Sequence, residues 1–193
     1  MSTQHADTVT GDGNPSTRLL SPVTLGRGLA VIRILLGLTY LFNGLAKVFD
    51  VRSINFLGFR ASLIGREDPA GIMQSQGLES NGGEGTALPL IQDITRFMLD
   101  NYDVVKWVLT GAELIAGILL VLGLASRLGA LIAFLLAIYV QALYYSSGVW
   151  LFEEPLIWVP LLLLAIVASG RVWGLDAKPA AARLERERGT WPF

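Results

Sequence analysis

The sequence predicts an all-α membrane protein, a bundle of four transmembrane helices with a long extracytoplasmic loop between the first helix and the second. Composition is the first reason: 52% of the 193 residues are hydrophobic and only 16% are charged, whereas a soluble domain carries roughly 25% charged residues. The second reason is that the apolar residues form four runs, each near the ~20 residues that cross a bilayer as a helix. The predicted spans are 29–49, 104–124, 128–146 and 155–173.

The first span combines an apolar surface with a polar stripe. Arg33, Gly37, Tyr40, Gly44 and Lys47 follow one another at intervals of three or four residues, which places them on one face of a helix. The opposite face is apolar and suits contact with lipid. Because a charge at membrane depth is costly, the stripe is expected to face a polar partner or a wet cavity.

The segment 50–103 is predicted to be the extracytoplasmic loop. A loop of this length in so small a protein indicates a functional or partner-binding role. Its last part, 88–99, is expected to form an amphipathic helix on the outer membrane surface or across the mouth of the bundle, because its large apolar residues share one helical face. These residues are Leu90, Ile91, Ile94, Phe97 and Met98.

The second and third spans are separated by only Ala125, Ser126 and Arg127. A connection this short predicts an antiparallel helical hairpin. In the third span, Gln141 is expected to hydrogen-bond to a neighbouring helix. The tyrosines of the third span, and Trp158 in the fourth, fit an aromatic belt at the membrane interface.

Lys and Arg placement predicts the orientation of the chain. The segments assigned to the cytoplasm carry basic residues close to the span ends, while the loop 50–103 carries a surplus of acidic residues. By the positive-inside rule, both termini are expected in the cytoplasm. Residues 1–24 are then a disordered cytoplasmic leader, 25–176 the membrane domain, and 177–193 a cytoplasmic tail.

Several chemistries are excluded by composition. The chain has no Cys, and its one His, His5, lies in a polar stretch before the first span. Cysteine-ligated zinc, iron–sulfur clusters and thiolate catalysis are therefore not expected, nor is a histidine-ligated haem or another metal site. A redox cofactor of this chain must be an organic molecule held without Cys or His ligation. The net charge of −1 gives no indication of nucleic-acid binding.

Glu113, near the middle of the second span, is the acidic counterpart of the stripe. An unpaired carboxylate at this depth would take up a proton, so a cationic partner is expected. Arg33 is the preferred partner by estimated depth, and Lys47 is the alternative. The pair either fixes the register of the helices or lines a polar cavity that binds a head group or relays protons.

Short motifs resemble the DoxX/DoxD family of bacterial and archaeal four-helix membrane proteins. They are Arg33-Ile-Leu-Leu-Gly37 with Phe42-Asn-Gly-Leu-Ala-Lys47, Glu113-Leu-Ile-Ala-Gly117 with Leu122-Gly-Leu-Ala-Ser-Arg127, and Gly170-Arg-Val-Trp-Gly-Leu-Asp176. One branch of this family resembles the membrane subunit of a thiosulfate:quinone oxidoreductase. The resemblance implies a multi-pass protein of the bacterial cytoplasmic membrane, and it makes a quinone a possible cofactor.

Three functions follow as hypotheses. The first is a quinone-linked redox subunit of an oxidoreductase complex, in which Glu113, Lys47 and Arg33 are catalytic. Its quinone-binding residues are Arg33, Tyr40, Asn43, Lys47, Glu113 and Gln141. The second is a membrane anchor or assembly partner of a respiratory or antioxidant complex. The third is a small-solute carrier. Each places the chain in a lipid bilayer, with a protein partner or a second copy of itself.

Overall fold

A computed structural model describes residues 22–79, 85–147, 155–185, 189 and 191–193. Helices dominate these parts of the chain, as the sequence predicts. The helices are α1 Pro22–Phe49, α2 Asp68–Ile72, α3 Pro89–Asp100, α4 Tyr102–Leu122, α5 Ser126–Leu143, α6 Pro155–Ile166 and α7 Ala177–Leu184. Shorter turns of helix occupy Met73–Leu78, Tyr144–Ser146 and Ser169–Arg171. One hairpin, absent from the all-α prediction, pairs β1 Ser53–Phe56 with β2 Phe59–Ser62 in antiparallel register.

Three helices are long and apolar enough to cross a membrane: α1, α4, and α5 with its continuation to Ser146. The fourth predicted span differs from the structure. Helix α6 has 12 residues and ends at Ile166 rather than at residue 173, which is shorter than the ~20 residues that a perpendicular span needs. Residues 148–154, which precede α6, lie outside the described part of the chain.

Helix α1 packs along α4, and α5 and α6 complete a ring of four neighbouring helices. Small residues allow the α1–α4 approach, because a Cβ added at Gly117 would lie 2.5 Å from the backbone nitrogen of Leu41. A buried apolar cluster from α4, α5 and α6 fills the space between the helices. It consists of Ala116, Leu120, Ala130, Ala133, Leu161 and Leu164.

The two ends of the bundle differ in construction, and we name them by their connections. The turn end carries the tight connection between α4 and α5. There Gly123 ends α4 with a φ of 61° and Ala125 has a φ of 46°, a region that L-residues adopt at a cost. The Asp176 carboxylate stabilises this connection, accepting hydrogen bonds from the Ala125 N–H at 2.5 Å and the Ser126 N–H at 3.0 Å.

The loop end carries the segment between α1 and α4. It contains the hairpin, α2 and α3, so the predicted amphipathic helix exists and spans Pro89–Asp100. Its buried residue is Thr95, whose hydroxyl oxygen lies 3.0 Å from that of Tyr139 in α5. The apolar side chains of Leu90 and Phe97 point away from the protein and are 70% and 66% exposed. Helix α3 therefore caps the bundle through a polar contact and presents apolar residues outward.

The predicted terminal segments need one correction. Helix α1 begins at Pro22, so residues 22–24 are helical rather than part of a leader. The rest of the predicted leader, 1–21, lies outside the described residues. In the predicted tail, Ala177–Leu184 forms α7, and the Arg183 guanidinium lies 4.8 Å from the centre of the Phe193 ring.

Candidate functional site

An ion pair between α1 and α4 lies at the centre of the candidate site. The Lys47 ammonium donates to both carboxylate oxygens of Glu113, at 2.8 Å and 2.6 Å. The two side chains are only 2% and 17% exposed. Because α1 and α4 run in opposite directions, Gly44 packs on Leu114 one turn away, and this register brings Lys47 to the level of Glu113.

Arg66, from the loop end, fixes the end of α1 that carries Lys47. Its guanidinium donates from Nε to the Lys47 carbonyl at 2.9 Å and from Nη2 to the Val48 carbonyl at 2.6 Å. These carbonyls belong to the last turn of a helix and have no partner further along it. The same guanidinium lies 4.8 Å from the centre of the Trp107 ring in α4. Arg66 therefore ties the ends of α1 and α4 together beside the ion pair.

The predicted pairing of Arg33 with Glu113 is wrong. Lys47 is fourteen positions after Arg33 in α1, a rise of about 21 Å, and Arg33 lies at the turn end. It is fully buried, and its guanidinium donates to three backbone carbonyls that follow α6. The acceptors are Ser169 O at 2.8 Å, Val172 O at 3.3 Å and Trp173 O at 2.9 Å. Arg33 therefore has a structural position, and it lines neither cavity described below.

A polar cavity of about 200 Å³ lies beside Glu113, between α1, α5 and α6. We call it the polar cavity. Four of the predicted cofactor-binding residues line it, namely Tyr40, Asn43, Glu113 and Gln141. Tyr40 is held in place because its hydroxyl donates to the Ala133 carbonyl at 3.0 Å. The structure thus brings together most of the residues that the sequence singled out, from three separate spans.

Three polar groups in the polar cavity have no hydrogen-bond partner among the described residues. Two are the side-chain amides of Asn43 and Gln141. The third is the indole N–H of Trp158, whose nitrogen is buried. Buried polar groups in proteins are nearly always paired, so the buried Trp158 nitrogen indicates a missing partner. Asn43 and Gln141 add further polar groups to the lining. Since all three can donate hydrogen bonds, the partner they fit is a molecule with acceptor oxygens.

A second cavity, of about 170 Å³, lies on the other side of Glu113 toward the loop end. We call it the apolar cavity. Its polar members are Lys47, Glu113, Tyr139 and Tyr144. The remaining eight residues of its lining are apolar. They are Ile64, Pro69, Ile72, Met73, Leu109, Leu136, Val140 and Leu143. The α2 segment and the π-helical turn after it form the wall of this cavity toward the loop end.

The sequence interpretation missed two contributors to the site. Trp158 was assigned to an interfacial belt, which is the usual role of Trp near a membrane surface. In the structure it lines the polar cavity, and its indole nitrogen is buried without a partner among the described residues. Arg66 was not singled out. Its position in a loop is the only feature of the sequence that could have indicated a role. A basic loop residue gives no indication of which carbonyls it will contact.

The structure combines apolar helices of membrane-spanning length with an ion pair and a polar cavity between them. These features define a multi-pass membrane protein in contact with the lipid bilayer. The chain belongs to the DoxX family, whose family model matches residues 28–146. This match confirms the family resemblance of the sequence motifs. No curated protein and no solved structure matches the chain.

Proposed function

We propose that this DoxX-family protein is the quinone-binding membrane subunit of an oxidoreductase complex, with the quinone ring in the polar cavity. The single observation that carries the proposal is the group of donors on Asn43, Gln141 and Trp158 in the cavity lining, which have no partner among the residues that the structure describes. A quinone ring carries carbonyl oxygens on opposite sides and has no donor of its own, which matches a cavity with donors on several walls. A dry cavity of about 150 Å³ accommodates benzene, so about 200 Å³ is enough for the ring.

The Lys47–Glu113 pair gives the polar cavity a source of protons. A bound quinone would supply two-electron redox chemistry, which also consumes protons. Glu113 lines the cavity and holds Lys47 at 2.6 Å, so a proton can pass between the ammonium, the carboxylate and a group in the cavity. Arg33 has no part in this proposal, since its guanidinium is committed to carbonyls at the turn end. The electrons come from a partner protein.

Replacing the two amides with apolar side chains of similar size tests this function. Asn43→Leu and Gln141→Met remove donors that have no partner in the described part of the chain, so the free energy of unfolding should stay nearly unchanged. Quinone binding should weaken about tenfold for each change, the value of one hydrogen bond. The measurement is a titration of quinone into purified protein in nanodiscs, together with the quinone content of the protein as isolated.

A matched control is Leu135→Ala in α5, which removes a side chain that is 59% exposed toward lipid and should leave binding unchanged. Wild-type affinity in Asn43→Leu and Gln141→Met would contradict the proposal. Loss of stability in both variants, with binding retained, would assign the amides to packing.

The second candidate function, a membrane anchor for a partner enzyme, is favoured by the loop end. Leu57 at the tip of the hairpin is 91% exposed, and Leu90 and Phe97 of α3 are also exposed. Exposed apolar patches of this kind mark interaction surfaces. Stoichiometric co-purification of an enzyme that is lost in Leu57→Ser, with no bound quinone, would favour this function.

For the orientation we propose that the turn end faces the cytoplasm of a bacterial cell. Described basic residues there include Arg27, Arg127, Arg171 and Lys178, and the positive-inside rule favours this placement. The loop end, with α3 and the hairpin, then lies outside the cytoplasmic membrane, where a partner could reach it.

A further inference from the structure

We propose that the apolar cavity binds the first part of the hydrocarbon tail of the quinone whose ring lies in the polar cavity. The ligand class is thus a quinone with an isoprenoid tail that turns toward the loop end. This inference rests on the proposed function and adds a second subsite to it. The position and lining of the apolar cavity, described next, carry the argument.

The two cavities are neighbours that share part of their lining. Ile64, Glu113, Leu136 and Val140 line both of them. Three of these four residues are apolar, so a hydrocarbon chain can pass along Leu136 and Val140 without crossing the ion pair. A ring in the polar cavity would therefore have its tail attached within reach of the apolar cavity.

The lining of the apolar cavity favours hydrocarbon over water. A buried water needs two to four polar partners. The Lys47 and Glu113 charges already satisfy each other, and the Tyr139 hydroxyl is paired with Thr95. Tyr144 is then the one remaining polar member of the lining, fewer than the two partners that a water needs. Eight of the twelve lining residues are apolar. At about 170 Å³, the cavity is slightly larger than a cavity that binds benzene, and an isoprene unit is similar in size to benzene.

The wall of this cavity toward the loop end has an unusual backbone structure. Met73 is 3% exposed and begins a π-helical turn, Met73–Leu78, a rare backbone form that is frequent at functional sites. Gly77 of this turn packs directly on Leu143, because a Cβ there would lie 2.9 Å from Leu143 Cδ2. The π-helical turn thus packs tightly on α5, and Met73 at its start forms part of the wall of the proposed tail site.

Two probes separate the tail site from the ring site. One is a dimethoxy-methyl-benzoquinone with two isoprene units, and the other is the same ring without a tail. Ile72→Trp fills the apolar cavity from the loop side, and Leu109→Phe fills it from α4. Neither residue lines the polar cavity. Titrations in nanodiscs of one lipid composition report the affinity of each probe for each variant.

Each filling variant should weaken the tailed probe about tenfold, through exclusion of the tail, and leave the ring probe within about twofold. Leu135→Trp, on the lipid-facing side of α5, should change neither affinity. If the filling variants bind the tailed probe like the wild type, the tail lies in lipid and this inference is overturned while the ring site stands. If the wild type binds neither probe, the proposed function fails, and the tail site fails with it.

Discussion

Lys47 Nζ lies 2.6 Å from Glu113 Oε2 in a part of the bundle where both side chains are largely shielded from solvent. The pair joins α1 to α4 and borders both cavities. The same two residues therefore contribute both to the packing of the helices and to the chemistry of the site. Stability and ligand binding can therefore be separated by measuring both in the same variants.

The first prediction concerns the energetic coupling of this pair. Lys47→Met and Glu113→Leu should each lower the free energy of unfolding by about 3–5 kcal/mol, because each leaves a buried charge without a partner. The double variant should lose less than the sum of the two. The measurement is denaturant unfolding in mixed micelles. Lys106→Met is the control, since the Asp103 and Glu67 partners of Lys106 are 97% and 53% exposed, and it should have a far smaller effect. Strictly additive losses would show that the pair does not interact.

The second prediction is that Arg33 and Glu113 are independent. Arg33→Leu removes the guanidinium donor from three backbone carbonyls, of which Ser169 O keeps the Val172 N–H as a donor, and this should cost about 1–3 kcal/mol. Because the two residues share no partner and lie far apart, combining Arg33→Leu with Glu113→Leu should give additive losses within about 0.5 kcal/mol. Arg27→Leu, at an exposed position of the same helix, is the control. A strong non-additivity would restore the pairing expected from the sequence.

The third prediction concerns the contact between α1 and α4. Gly117→Ala places a methyl group 2.5 Å from the Leu41 backbone and should destabilise the protein by about 1–3 kcal/mol. Gly111→Ala is a matched control in the same helix, because a Cβ there meets nothing within 4 Å. It should be neutral or stabilising, since Ala favours helix over Gly by about 1 kcal/mol. Equal effects from both would contradict the described packing.

The fourth prediction concerns topology. The chain has no Cys, so single cysteines give no background labelling. Leu57→Cys in the hairpin and Leu184→Cys in α7 are at positions 91% and 69% exposed. In intact cells, a membrane-impermeant thiol reagent should label the first variant only, and it should label both after lysis. Labelling of Leu184→Cys in intact cells would reverse the orientation or place both positions on one side.

Much of the architecture could be predicted from hydrophobic patterns. The polar stripe of α1 does face inward: Arg33, Gly37, Gly44 and Lys47 are buried, and Tyr40 is partly buried. Periodicity determines which face of a helix is apolar, so these residues were predictable from a single sequence. The amphipathic character of α3 was predictable for the same reason.

The choice between Arg33 and Lys47 as the partner of Glu113 could not be made from the sequence, because it depends on the vertical register of two helices, and the alternative, Lys47, is the partner in the structure. The depth estimate placed both ends of each span from hydropathy alone, whereas α1 begins at Pro22, before the predicted first span. The partners of Arg33 were hidden for a second reason. Residues 169–173 were predicted to be helical, and carbonyls within a helix are already used by the helix itself. In the structure, α6 ends earlier, and carbonyls beyond it are free to accept from Arg33.

Some residues of the candidate site could likewise be predicted from the sequence, and one could not. Tyr40, Asn43, Glu113 and Gln141 were recognisable as polar residues inside apolar spans, and they share the polar cavity. Trp158 was not, because an indole near a membrane surface has a common structural role, and only the packing of α6 against α1 and α5 shows that this residue lines the cavity. Polarity at membrane depth thus predicts candidates, and tertiary packing decides which of them meet.

The most direct test of the central claim is the infrared carbonyl stretch of a quinone labelled with carbon-13 at one carbonyl or the other, added to the protein in nanodiscs. Hydrogen bonds weaken a carbonyl bond, so donors in the polar cavity should shift the labelled bands to lower frequency than in empty nanodiscs. Gln141→Met or Asn43→Leu should return one of the two bands toward its lipid position, and Leu135→Ala should change neither. Bands at the same frequencies with and without the wild-type protein would contradict quinone binding by these groups.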